Sequence, residues 1–197
     1  MTRSATIHRK TGETDVTVTV DLDGVGRADI HTGVGFFDHM LVLLARHAAI
    51  DLSVAAQGDL HVDQHHTVED VGLALGQALL RAWGDKSGIA RYGSVNLPMD
   101  EALAIVGLDL SGRSYCRIHV AHGWPADRIG DFPAELVAEF FKALAAEARI
   151  TLHADVVRGE NAHHVAEAIF KGVARALRQA IAPDARQQGI PSTKGVL

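Results

Sequence analysis

Val16, Val18, Val20 and Leu22 alternate with polar residues, the period-two pattern of a strand with one buried face. Elsewhere the apolar period lengthens. Val71, Leu73, Leu75, Leu79 and Leu80 make one helix-like stretch, and Ile169, Phe170, Val173, Leu177 and Ile181 make another. Shorter helical runs cover Met40 to His47 and Phe140 to Glu147, and each leads into a strand-like run, Ile50 to Val54 and Ile150 to Val157. Asn161 stands where the second long helix needs an N-cap acceptor.

These elements recur in order. His39 is followed eleven residues later by Ile50 and then Leu52, and Glu139 eleven residues later by Ile150 and then Leu152. Asp21-Leu22-Asp23-Gly24 matches Asp109-Leu110-Ser111-Gly112 at the end of a strand pattern. The spacing predicts an internal duplication with halves at 1–90 and 91–182, divided at Gly84-Asp85-Lys86-Ser87-Gly88, and a tail over 183–197. Strands and helices in this arrangement predict an α+β fold, two sheets with helices packed against them.

Composition narrows the class. The chain has 197 residues, 47% hydrophobic and 22% charged, which suits a packed core. A net charge of −5 argues against broad electrostatic binding to nucleic acid. Cys116 is the single cysteine, so neither an intramolecular disulfide nor a thiolate metal cluster is available. Met1 to Lys10 lacks an apolar signal core and no apolar run is long enough for a bilayer, so a cytoplasmic location is expected.

Twelve histidines change the picture, because their spacing is not random. His65-His66-Thr67-Val68-Glu69 and His163-His164-Val165-Ala166-Glu167 open the two long helices in matching halves. Residues three or four apart share a helix face, so each Glu neighbours the histidines before it. Adjacent histidines diverge by about 100°, so each pair is suited to serve two ions rather than one. Imidazole and carboxylate without thiolate suit manganese, iron, cobalt, nickel or zinc. His8, His31, His47, His61, His119, His122 and His153 lack such a pattern and are expected in surface or core roles. The tail Ile190-Pro191-Ser192-Thr193-Lys194-Gly195 offers hydroxyls and a charged amine that suit a phosphate, with Arg91, Arg113 and Lys171 as further positive groups.

Gly35-Phe36-Phe37-Asp38-His39-Met40-Leu41, His65-His66-Thr67-Val68-Glu69-Asp70, Pro98-Met99-Asp100-Glu101-Ala102, Asn161-Ala162-His163-His164 with Glu167, and Pro191-Ser192-Thr193-Lys194-Gly195 together resemble the imidazoleglycerol-phosphate dehydratases of histidine biosynthesis. The likeness runs over almost the whole chain. It implies a duplicated fold with four helices sandwiched between two four-stranded sheets, two manganese ions per active site, and a homo-oligomer of 24 chains built from trimers. The metal ligands it implies are His39, His65, His66, Glu69, Glu139, His163, His164 and Glu167, where Glu139 stands in place of the histidine that precedes the Phe-Phe pair in familiar members. It implies substrate contacts from Glu13, Arg91, Arg113, Lys171, Ser192 and Lys194. Glu13, His65, Glu69, His163 and Glu167 are the expected catalytic groups. No fused phosphatase is expected, so a single activity is.

The implied reaction removes water from imidazoleglycerol phosphate and gives imidazole-acetol phosphate. An imidazolate held between two manganese ions expels the hydroxyl, giving a diazafulvene that acidifies the neighbouring C–H. Two other readings compete. A metal-dependent phosphohydrolase would release inorganic phosphate. A non-catalytic metal store would turn over nothing and would not need Arg91, Arg113 and Lys194. Because each His-His pair faces two ways, one chain is not expected to enclose both ions, and the motif of one half is expected to meet that of another subunit.

Overall fold

The computed structural model describes residues 3–197. Strands β1 (Ser4–Lys10), β2 (Thr14–Asp21), β3 (Ala28–His31) and β4 (Asp51–Gly58) make one sheet in the order β1-β2-β4-β3. Strands β5 (Tyr92–Met99), β6 (Ala102–Asp109), β7 (Tyr115–Val120) and β10 (Thr151–Arg158) make a second in the order β5-β6-β10-β7. The two orders correspond strand for strand, each with an antiparallel hairpin at one edge and a parallel pair at the other. In β2 the expected alternation holds, with Val16, Val18 and Val20 fully buried. Each sheet therefore turns one apolar face inward.

Four helices fill the space between the sheets: α1 (Gly35–Ala48), α2 (His65–Trp83), α3 (Leu136–Ala148) and α4 (Ala162–Ala180). Both short helices begin earlier than the expected runs, because Phe37 in α1 and Leu136 and Val137 in α3 are buried in their first turns. They end alike. Ala49 (φ 57°) and Arg149 (φ 53°) adopt the left-handed conformation as C-caps and turn the chain into the next strand. Asn161 caps α4 as expected, its side chain accepting from the backbone N–H of His163 and His164.

Packing crosses between the halves. α2 packs on α3, and α1 on α4. The first contact is backbone-close: a Cβ on Gly72 would lie 2.7 Å from the Phe140 carbonyl oxygen, and one on Gly76 2.6 Å from that of Leu144. Phe37, Phe140, Phe141 and Phe170 stack edge to face or offset at 4.7–5.4 Å, so one core serves both halves. The segment between β7 and α3 has no counterpart in the first half. Its small hairpin, β8 (Arg128–Ile129) with β9 (Phe132–Pro133), sends Phe132 under Phe36 and Phe37. No described helix is long and apolar enough to cross a membrane.

A candidate metal centre and a candidate phosphate pocket

His163 and Glu167 lie one helical turn apart at the start of α4, and His39 reaches them from α1. Their ligand atoms all lie within 4.8 Å of one another. Glu167 Oε1 accepts from His39 Nε2 at 3.0 Å and from His163 Nε2 at 3.2 Å. Lys171, one turn further on, donates to Glu167 Oε2 and touches Met99 Sδ at 3.4 Å. Phe36 lies edge-on to the His163 ring at 5.2 Å. Burial pushes the Glu167 carboxyl up, but the hydrogen bonds from Lys171, His39 and His163 outweigh it and hold the group at about 2. A full negative charge therefore stands between two imidazoles. Burial also pushes the His47 imidazole down, with the nearby Lys171 and Arg175 charges acting in the same direction.

The second histidine of each pair points away from the first, with ring planes crossed at 89° for His65/His66 and 83° for His163/His164. His66 Nδ1 meets Asp59 at 3.0 Å and His164 Nδ1 meets Glu101 at 2.6 Å. The hydrogen bonds that the two imidazoles donate to those carboxylates raise both imidazole pKa values. The Glu101 carboxyl is held at about 2, first by His164 and then by the Asn161 backbone N–H.

The remaining expected ligands stay apart within one chain. His65 and Glu69 sit a turn apart on α2, but Glu139 on α3 pairs with Lys142 at 2.7 Å instead of closing a cluster with them. Among the described residues His39, His163 and Glu167 are the one group gathered tightly enough to hold an ion.

The tail folds back on the start of the second half. Gly88 N–H donates to the Gly189 carbonyl, and Arg91 Nη1 to that of Pro191 at 2.7 Å. The result is a pocket of about 960 Å³ lined by Arg91, Arg113, Ser192, Lys194 and neighbouring tail residues. Arg113 and Lys194 have no acidic partner among the described residues, while Arg91 is bound to Asp109 through Nε and Nη2. Two residues expected with this set lie elsewhere. Lys171 belongs to the metal-ligand cluster, and Glu13 stands in the β1–β2 turn, 57% exposed, with its carboxylate 3.8 Å from His66 Nδ1.

A family model for imidazoleglycerol-phosphate dehydratase matches residues 32–177, a span that contains α1, both His-His-x-x-Glu motifs and most of α4. The chain belongs to the imidazoleglycerol-phosphate dehydratase family. It is accordingly an enzyme of the dehydratase lyase class, not an inert metal store. The family's member in Cereibacter sphaeroides is 61% identical over 196 residues, covering 99% of this chain and 100% of that one. The Roseobacter denitrificans member is 62% identical with the same coverage. Among solved structures, the Staphylococcus aureus dehydratase superposes with a TM-score of 0.81 at 40% identity, covering 91% of this chain and 99% of that one. The Pyrococcus furiosus enzyme, solved with (S)-C348, gives 0.82 at 37% identity, covering 97% and 100%.

Asp59 was invisible to sequence reasoning, since nothing in its spacing ties it to His66. Glu101 lay inside a family motif but received no role. The duplication held a signal for it: Glu13 directly precedes β2 as Glu101 directly precedes β6.

Proposed function

We propose that this chain converts imidazoleglycerol phosphate to imidazole-acetol phosphate and water in L-histidine biosynthesis, with two manganese ions per active site, in the cytoplasm. The gathering of His39, His163 and ionised Glu167 carries the reading. Two imidazoles and a carboxylate without thiolate fit manganese, and a carboxylate already ionised far below neutrality needs no deprotonation on binding. His65, His66, Glu69, Glu139 and His164 are the further donors. Bound there, manganese would supply Lewis acidity that favours the anionic form of the imidazole ring.

The chain's own groups do the rest. Lys171 keeps Glu167 charged and oriented. Arg113, Lys194, Ser192 and the N–H groups of Arg91 not taken by Asp109 or Pro191 hold the phosphate by charge-assisted hydrogen bonds. Glu13, exposed and free of hydrogen bonds at its carboxylate among the described residues, is suited to move a proton between the substrate's carbon or hydroxyl and solvent. Loss of the hydroxyl as water and of the C–H proton leaves an enol, which becomes the ketone.

The phosphate pocket and the metal cluster stand at opposite ends of α4. Arg91 N–H bonds the Ala180 carbonyl at the C-terminal end, while His163 is at the N-terminal one. Nineteen residues of helix span about 28 Å at 1.5 Å per residue. A substrate of a few ångströms cannot bridge that gap, so the pocket of one copy serves the cluster of another. This favours a closed homo-oligomer, and 24 chains built from trimers is the assembly proposed. Metal analysis and a dehydratase assay on one preparation test the reading. Activity should vanish on chelation and return with manganese. Full activity in verified metal-free protein, or inorganic phosphate as the product, would overturn it.

A further inference from the structure

The two halves differ at one point that their shared topology makes visible. Glu13 and Glu101 occupy matching places, each directly before the second strand of an edge hairpin. His66 and His164 also match, each the second histidine of its pair. In the second half the pairing is made: Glu101 Oε2 lies 2.6 Å from His164 Nδ1. In the first half it is not, because Glu13 stands 3.8 Å from His66 Nδ1 and Asp59 takes the bond at 3.0 Å. Asp59 directly follows β4. The residue directly following β10 is Gly159, which has no side chain to offer.

A neutral imidazole carries one N–H and one lone pair. A carboxylate at Nδ1 keeps the hydrogen there and leaves the lone pair on Nε2. The only acidic oxygen described within 4 Å of His164 Nε2 is that of Asp100, at 3.8 Å. Glu101 is itself fixed, since its Oε1 accepts from the backbone N–H of Glu160 at 3.1 Å and of Asn161 at 2.9 Å. Three hydrogen bonds hold its carboxylate in place, two on Oε1 and one on Oε2, whereas the Glu13 carboxylate accepts none among the described residues.

We infer that Asp59 and Glu101 are positioning residues that hold His66 and His164 in the tautomer with a free Nε2, and that Asp59, by relieving Glu13 of this bond, leaves the Glu13 carboxylate free for the substrate. The inference rests on the metal-dependent reading above. Duplication alone would give two equivalent glutamates. The substitution of Asp59 for one of them makes the halves chemically unequal and supplies a free carboxylate on one side only.

The test uses Glu101→Gln and Asp59→Asn in the assembled holoenzyme, with Mn(II) binding followed by calorimetry and by the electron paramagnetic resonance of free Mn(II). In Glu101→Gln the amide oxygen still accepts the two backbone N–H groups, so the loop before α4 keeps its shape. Its NH2 then faces Nδ1 and drives the imidazole hydrogen to Nε2. Metal affinity should fall about 10- to 100-fold at one of the two ions in each variant. Excess manganese should restore much of the activity of Glu101→Gln. Asp59→Asn should stay below wild-type kcat even when saturated, because Glu13 is drawn toward His66. Glu13→Gln should lower kcat with metal affinity unchanged. Wild-type affinity for both ions in both variants, with unchanged circular dichroism, overturns the inference. Failure of the wild-type protein to bind manganese at all overturns the underlying reading instead.

Discussion

Glu167→Gln removes one negative charge from the point where Lys171, His39 and His163 converge. The Glu167 carboxyl is held at about 2 against an ordinary 4.5, and its side chain is only 8% exposed. One pKa unit corresponds to about 1.4 kcal/mol. Preferential stabilisation of the ionised form therefore contributes at most about 3.5 kcal/mol to folding. The sign follows from the direction: a depressed folded-state value gives stability that is complete above the ordinary value and disappears as pH falls toward about 2. Urea unfolding of chelator-treated wild type and variant, at one fixed protein concentration and from about pH 7 to about pH 2, reads the difference directly. The variant should be less stable by roughly 2 kcal/mol near neutrality. The gap should close as acid protonates the wild-type carboxyl. A constant gap across the whole range would refute the reasoning, because the charge would then not be what holds the cluster together. Manganese added at neutral pH should raise the midpoint of the wild type more than that of the variant, since only the folded wild-type site offers the charged donor.

Lys194→Ala should weaken substrate binding about 10- to 100-fold, the worth of one charge-assisted hydrogen bond, while elemental analysis finds the metal content unchanged. Equal losses of both would contradict the placement of Lys194 far from His163. Glu139→His should fold and retain two metals per chain, because His39 occupies the matching place in the first half. Loss of one metal would give position 139 another job. Gly76→Ala should cost about 1–3 kcal/mol in chemical denaturation, because its methyl would press on the Leu144 carbonyl oxygen. An unchanged or raised midpoint would mean that α2 and α3 can separate freely.

Local patterns in the sequence determined much of this protein. Alternation at Val16, Val18 and Val20 marked a one-sided strand because a strand has period two, and the repeated His-His-x-x-Glu helices exposed the duplication because both copies kept the same order. Asn161 was legible as a cap, since capping depends on the next few backbone N–H groups. The α+β class followed from these local signals, and the family motifs extended them to two four-stranded sheets and four helices. What depended on distance along the chain was not legible. Spacing could not say that His39 on α1 joins His163 and Glu167 on α4, because that contact is made between helices, nor that Glu139 would stay with its own helix neighbour Lys142. Nor could it separate Lys171 from Arg113 and Lys194, although all three were read as one positive set; packing put them toward opposite ends of α4. Asp59 and Glu101 gained their partners only when the segment after β4 and the β5–β6 turn met the starts of α2 and α4 in space. A periodic pattern records which face of an element is buried. Which other element covers that face is decided by the packing of the whole core.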